Sequence, residues 1–458
     1  MAAFLERAGA IVWGWPLMGL FLGIGLFFMV RLRGLPLRKL GSALRLSVRQ
    51  DSTDGVSPYA ALCTALAATI GTGNIVGVAT ALAAGGPGAL FWMLIAAVFG
   101  MATQYAEGFL ACKYRRRTKN GWFGGPFCYI EQGLGKRFRW LAKTYAAIGA
   151  AVGLLGVGTV TQVNSITSSV RTLANTQEGV NTQTAVIVAG ALVTLASALV
   201  LLGGVKRIFE VCRTLVPFMS VVYVLCAGIL LVRHADRLLP AVSLITRSAF
   251  CPEAVLGGGL GISLKLAMRM GIGRGVFTNE AGIGSSAIAA AASSERNPVR
   301  QGLVSMTGTF IDTIVICSMT GLCLVVTDAW NMPLEGVALT DYAWRVGLPW
   351  SGGLSSALLT GCLICFAFAT IIGWNFYAER CFSYLVGEQP RLLRVYRVAY
   401  LLAIAAAPYF SVRAAWESAD ILNAVMALPN LAALLLLRKR VIFDTNRACS
   451  LEKRKNIM

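Results

Sequence analysis

Gly271-Ile-Gly-Arg-Gly-Val-Phe-Thr-Asn-Glu-Ala-Gly-Ile-Gly-Ser-Ser286 interrupts an apolar segment with five glycines, Arg274 and Glu280, and hydroxyl and amide side chains between them. A shorter stretch of the same kind, Ala67-Ala-Thr-Ile-Gly-Thr-Gly-Asn-Ile-Val-Gly77, lies far upstream. A helix that loses its hydrogen-bond ladder in hydrocarbon leaves amides and carbonyls unpaired, so such breaks persist only where protein, water or a ligand satisfies them. Both stretches therefore mark a binding site within the membrane.

Composition supports a membrane setting. The chain is 56% hydrophobic and 14% charged, and its apolar stretches are long enough to cross a bilayer. Eleven spans are predicted, with cores at 11–30, 57–83, 88–111, 141–169, 184–202, 210–232, 254–294 (broken), 300–326, 353–384, 394–411 and 415–437. Glu6 and Arg7 precede the first span and a basic cluster follows it, so it reads as a retained helix, not a signal peptide.

The net charge of +20 does not point to nucleic acid, because the basic residues cluster between apolar segments. With the N-terminus outside, 31 of the 41 Lys and Arg residues fall on one face. The positive-inside rule makes that face, and the tail 441–458, cytoplasmic. Attraction to anionic inner-leaflet lipid follows. The linker Arg31 to Gly55 reads equally as an amphipathic surface helix or a solvated connector. His234 to Pro252 and Asp328 to Pro349 read as long outer loops.

Most of the twelve cysteines lie in apolar spans and act as small hydrophobes. Cys362-Leu-Ile-Cys365 has CxxC spacing but no second pair and no nearby histidine; the one histidine, His234, falls on the outer face. No catalytic constellation and no cofactor are expected.

The breaks fall at the first and sixth of the ten helices that follow the N-terminal one. That correspondence implies two five-helix halves, 57–233 and 254–440, of opposite orientation, preceded by an extra helix and linker at 1–56. Secondary transporters place broken helices of inverted halves around a midplane site. At the first break Gly71 and Gly73 allow non-helical backbone, and the half-helix starting near Asn74 directs its amides back toward Thr72 and Gly73, an arrangement suited to a carboxylate. At the second, Thr278 and Asn279 are candidates for ligand contact, while Arg274 and Glu280 are expected to neutralise each other. Gln162 and Asn164, Gln104 and Glu107, Asp312, and Thr370, Trp374 and Asn375 are polar candidates on neighbouring spans. Asp312 is the lone acid of its span and reads as a cation ligand, a proton carrier or a buried hydrogen-bonded carboxyl; Glu107 reads as structural.

With these residues the chain resembles the alanine or glycine:cation symporter family. The likeness is carried by residues 68–81 (Ala-Thr-Ile-Gly-Thr-Gly-Asn-Ile-Val-Gly-Val-Ala-Thr-Ala), by Gly-Gly-Pro at 85–87 and again at 124–126, by 274–285, and by Gly-Thr-Phe-Ile-Asp-Thr-Ile-Val-Ile-Cys at 308–317. It extends over nearly the whole chain.

The resemblance implies an all-α, LeuT-type fold with one added N-terminal helix, and sodium-driven uptake of alanine, glycine or a related small neutral amino acid across the bacterial inner membrane. It further implies that Thr72 and Gly73 amides bind the substrate carboxylate. Sodium would take the carbonyls of Ala67, Ile70 and Ala367 and the Thr370 hydroxyl. Ile371 departs from the wider fold, some members of which carry a second hydroxyl there, and this keeps proton coupling as an alternative. Trp374, one turn beyond Thr370, would cap the substrate methyl group or serve as a packing knob; Gln162 and Phe277 would form walls, and Asn279 would meet the ligand's polar head. An ion channel is the rival of another class, but no symmetric set of acidic filter residues supports it.

Overall fold

The computed structural model of the protein describes residues 12–48, 55–118, 121–174, 181–250, 264–410 and 412–455. Helices account for almost all of it. Eight helices among the described residues are long and apolar enough to cross a membrane, and a ninth is formed if the pair on either side of the first break, bent by 50°, counts as one. The expected count of eleven is therefore matched in part. The helix α1 (Trp15–Arg31) is apolar but shorter than these.

The described part of the linker after α1 is helical, a single turn at Leu35–Arg38 followed by α2 (Leu40–Ser47). Ala43 and Ser47 are buried. The Ser47 hydroxyl lies 2.9 Å from that of Thr307, fastening α2 to the bundle. Next comes the first broken pair, α3 (Pro58–Thr69) and α4 (Val78–Gly85). Ser57 caps α3 by accepting from the Ala60 amide at 3.2 Å, and Pro58 supplies a preset first-turn φ. Between α3 and α4 the chain forms a π-helical turn, Gly73–Gly77.

The helix α5 (Gly88–Lys113) leads to a two-stranded hairpin, β1 (Arg116–Thr118) and β2 (Gly121–Phe123), and then α6 (Pro126–Leu134). The span expected at 141–169 is itself divided into α7 (Arg139–Leu155) and α8 (Val160–Ala174). At the step between them the Gly158 carbonyl, freed from the ladder, accepts from the Tyr400 hydroxyl at 2.7 Å. Two lipid-facing helices follow, α9 (Thr182–Leu201) and α10 (Gly204–Arg233). Leu192, Leu195, Leu199, Phe218, Val221 and Leu225 stand exposed on them, which a bilayer tolerates and water does not. The stretch after His234, expected as an outer loop, is largely helix, α11 (Ala235–Phe250).

The second broken pair is α12 (Leu264–Asn279) and α13 (Ser286–Ala292); residues 251–263, within the span expected at 254–294, lie outside the described residues. Then come α14 (Pro298–Thr309), a π-helical stretch Phe310–Cys317, and α15 (Ser318–Val326). The second outer segment carries α16 (Val337–Gly347). The long α17 (Gly352–Val386), α18 (Pro390–Ala406) and α19 (Val412–Lys455) complete the chain.

Glycines set the tightest helix contacts. A Cβ on Gly302 of α14 would lie 2.8 Å from the Tyr105 carbonyl oxygen of α5, and one on Gly108 of α5 would strike the Ser305 hydroxyl. Close backbone approach of this kind is how membrane helices gain dispersion energy where lipid is as apolar as leucine.

Candidate substrate and ion site

The first break forms where expected. α3 ends at Thr69, and Ile70 leaves helical geometry with ψ at 88°. The amide of Gly71 then has no carbonyl in the ladder; it donates instead to Asn74 Oδ1 at 3.0 Å. The Thr72 amide points at Gln162 Oε1, 3.5 Å away, and the buried Thr72 hydroxyl has no hydrogen-bond partner. A buried hydroxyl without a partner is costly, so Thr72 marks a place where something else completes the site.

The other end of Asn74 reaches across the bundle. Its Nδ2 donates to Asp312 Oδ1 at 2.8 Å and to the Asp312 carbonyl at 3.1 Å, with Cys317 Sγ at 3.3 Å. Asp312 Oδ2 accepts from the Thr313 hydroxyl at 2.7 Å. Both Asn74 and Asp312 sit in π-helical turns, whose extra residue per turn frees groups that an α-helix would consume. Asp312 faces neutral donors, and no described cation pairs with it.

Two residues of the expected sodium set, Thr370 and Ala67, meet. Thr370 Oγ1 donates to the Ala67 carbonyl at 3.0 Å and to its own-helix Phe366 carbonyl at 3.1 Å. Ala67, Ile70 and Ala367 are fully buried. A Cβ on Gly71 would fall 2.4 Å from Thr370 Oγ1, and one on Gly373 2.8 Å from the Ala68 amide, so α17 presses directly on the end of α3. The oxygens of Thr370 and Ala67, the Gln162 amide oxygen and the Thr72 hydroxyl thus surround the first break.

The second break is narrower than the sequence indicates. α12 continues through Gly271, Gly273 and Gly275 to Asn279, and the chain unwinds at Glu280 to Ser285, where Glu280, Gly282 and Gly284 have φ of 55°, 93° and 86°. The earlier glycines serve packing. A Cβ on Gly271 would lie 2.2 Å from the Ala89 carbonyl, and one on Gly275 3.2 Å from Met93. The two breaks touch: a Cβ on Gly73 would meet Thr278 Cγ2 at 2.6 Å.

Several expected roles change here. Arg274 and Glu280 do not pair with each other. Arg274 lies 3.3 Å from Asp420 on α19, while the Glu280 carboxylate accepts from Trp374 Nε1 at 2.8 Å and from the Ser285 hydroxyl. Glu280 lies six positions beyond Arg274 and just past the end of the helix, which puts the two on different faces, so each finds another helix. Trp374 is completely buried and its indole is committed to Glu280, which ties α17 to the second break. The Asn279 amide is engaged by the protein at both ends, accepting from the Ala281 amide at 3.0 Å and donating to Thr313 at 3.2 Å, and so braces the break. Phe277 packs on Trp416, with ring centroids 5.5 Å apart.

Glu107 has the structural role expected of it. Its Oε1 accepts from the Gly282 amide at 3.0 Å and from Asn430 Nδ2 at 2.6 Å, clamping the unwound segment. Gln104 does the same one turn earlier, donating to the Asn279 carbonyl at 2.9 Å and accepting from the Thr309 amide. Asn430 and Asp420 were not singled out in the sequence. Asn430 follows Pro429 within a long apolar run, a polar group that could have been flagged by depth alone.

A helical membrane protein whose two discontinuous helices meet at a buried polar knot belongs to the class of multi-pass transport proteins. Residues 1–456 match the model of the sodium:alanine symporter family, and the chain belongs to that family. It is a transport protein and not an enzyme. The chain is 48% identical over 447 residues to an uncharacterized transporter of Haemophilus influenzae, covering 97% of this chain and 95% of that protein. It is 41% identical over 454 residues to the sodium/alanine symporter AgcS of Methanococcus maripaludis (97% and 96% covered). Identity to the probable sodium/glutamine symporter GlnT of Bacillus subtilis is 34% over 452 residues (98% and 90% covered).

Proposed function

We propose that this protein is a sodium-coupled importer of alanine, glycine or a related small neutral amino acid, working by alternating access between two inverted halves, 57–233 and 254–440. Its seat is the bacterial inner membrane, with the N-terminus outside and the C-terminus cytoplasmic. The single observation that carries the reading is the first break: the Thr370 hydroxyl meets the Ala67 carbonyl on one side of Gly71, and Asn74 ties the same glycine to Asp312 on the other.

In this reading the substrate carboxylate lies on the Thr72 and Gly73 amides, in the place the Gln162 side-chain oxygen now approaches, and the Thr72 hydroxyl completes its contacts. Sodium takes the carbonyls of Ala67, Ile70 and Ala367 and the Thr370 hydroxyl, a set of neutral oxygens suited to a hard monovalent cation. The cation fixes the end of α3 in the conformation the carboxylate needs, and by linkage substrate tightens the cation equally. Trp374 and Asn279 shape the cavity by holding the second break.

A second reading, proton coupling, draws on Asp312. A carboxylate held by neutral donors in a dry interior gains most from a positive partner, and a carried proton would serve as well as a second cation. Proteoliposomes decide between them. Labelled alanine should accumulate under an inward sodium gradient and not under lithium or a proton gradient alone; accumulation that ignores sodium and follows the proton gradient overturns the sodium version.

A further inference from the structure

Below the site, on the face that the basic residues mark as cytoplasmic, lies a separate cavity of about 500 Å³. It is bounded by the start of α3 at Ser57, the end of α13 at Ala292, Trp122 of the hairpin, the first turns of α10 and Arg380 of α17. A strand-like bridge closes its roof: Val56 pairs with Ser293, and the Ser294 amide donates to the Val56 carbonyl at 2.7 Å. The ends of both broken helices thus meet at the top of the cavity.

Its charge is unbalanced. Lys206, Glu210 and Arg213 line it from one face of α10, four and three residues apart, and Arg380 completes it. Arg380 is 9% exposed, and its guanidinium rests over Phe123 and Phe376 at 5.6 and 5.3 Å. Arg380 makes no hydrogen bond or ion pair with a described residue; two carboxylates, Glu379 and Glu388, lie within electrostatic reach, and Glu379 is held in a two-pronged pair with Arg397 at 2.7 Å. Five donors packed on aromatic faces and left open toward a cavity are a cradle for a carboxylate or phosphate. The capped N-terminus of α3 adds its positive end on the same side.

We infer that this cavity is a low-affinity exit site for the amino-acid zwitterion, with the carboxylate on Arg380 and Arg213 and the ammonium at Glu210. The inference rests on the amino-acid reading above. It gives a released substrate a second resting place once the Val56–Ser293 bridge parts, and lets cytoplasmic amino acid compete for it. A phospholipid headgroup would offer the same anion chemistry as a phosphate, so the test separates the two.

Trp122 forms part of the wall, so its emission reports occupancy without transport. The full chain in detergent is titrated with acetate, glycine, methylammonium and inorganic phosphate, and the change is compared with that of Trp122→Phe. Acetate and glycine should shift the emission saturably and methylammonium should not. Arg380→Gln and Arg213→Gln should each weaken the response at least tenfold, with Arg380→Lys intermediate. Arg213 is exposed, so its variant keeps the test decisive if Trp122→Phe does not accumulate. A response to phosphate or to phosphatidylglycerol nanodiscs but not to acetate, or no saturable response, overturns the inference. In vesicles, Arg213→Gln should raise the half-saturating internal alanine about tenfold relative to the external value in counterflow; an unchanged ratio overturns the exit role. Failure of the wild type to take up alanine would instead overturn the proposed function, and the fluorescence titration would still decide the anion site.

Discussion

The side-chain amide of Asn74 lies 2.8 Å from the carboxylate of Asp312, and each residue sits in a π-helical turn of its own helix. Through Asn74 Oδ1 the contact continues to the Gly71 amide, so a change of charge at Asp312 is felt at the unwound backbone two bonds away in the network.

Asp312→Ala and Asn74→Ala should therefore each reduce alanine uptake by tenfold or more, and should not add when combined. Thermal unfolding in detergent should give a coupling of about 0.5–3 kcal/mol between the two sites. Simple additivity would show that the hydrogen bond does not transmit to the break.

Thr370→Ala should weaken sodium stimulation of uptake more than it weakens alanine binding at saturating sodium, and Thr370→Ser should restore most of the loss. The measure is the sodium concentration for half-maximal uptake. Equal loss in both quantities would argue against a cation ligand and for a packing role.

Gly73→Ala should abolish uptake, because the added methyl would lie 2.6 Å from Thr278 Cγ2. Thr278→Ser removes that carbon and should recover transport in the double variant. No recovery would mean that Gly73 is needed for its backbone freedom, not for the approach of the two breaks.

Trp374→Phe and Glu280→Ala should each lower activity to a similar level, with no further loss in the double variant, since both remove the 2.8 Å bond between α17 and the second break. A much larger loss in Trp374→Phe would restore the view that the indole contacts substrate directly.

Exchanging the charges of Arg274 and Asp420 should recover expression and melting temperature lost in Arg274→Asp alone. The pair is about four-fifths buried, with 18% and 21% side-chain exposure. It should contribute about 1–3 kcal/mol, between the exposed and fully buried limits. Failure of the exchange to recover stability would point to the cation stacking of Arg274 on Phe277 and Trp416, at 5.7 and 5.5 Å, as its main contribution.

The sequence made the membrane setting and the first break legible because glycine and polar side chains contrast sharply with the apolar residues around them. Gln162, Asp312 and Thr370 were candidates for that break by span and depth, whereas the pairing of Thr370 with Ala67 was implied only by the family resemblance. The second break was misjudged in extent: glycines at 271 and 275 look like helix breakers, yet they remain helical because a neighbouring backbone needs the space a side chain would fill. Partner choice was the least legible layer. Arg274 finds Asp420 and Glu280 finds Trp374, pairings made by helix rotation and tilt, which no spacing along one chain encodes. The step at Gly156 to Thr159 was missed although Gly156 and Gly158, followed by Thr159, Thr161, Gln162 and Asn164, carry the same combination of glycine and polar residues as the two breaks.

The glycine-mediated contact of α5 with α14 bears on motion. These helices come from opposite expected halves, yet Gly302 lies against the Tyr105 carbonyl and ring and Gly108 against the short side chain of Ser305, leaving no room for even a methyl group at either contact. Surfaces fitted that closely cannot slide without opening voids along their whole length. In the alternating-access cycle proposed above, α5 and α14 would therefore move together, coupling one inverted half to the other at this contact.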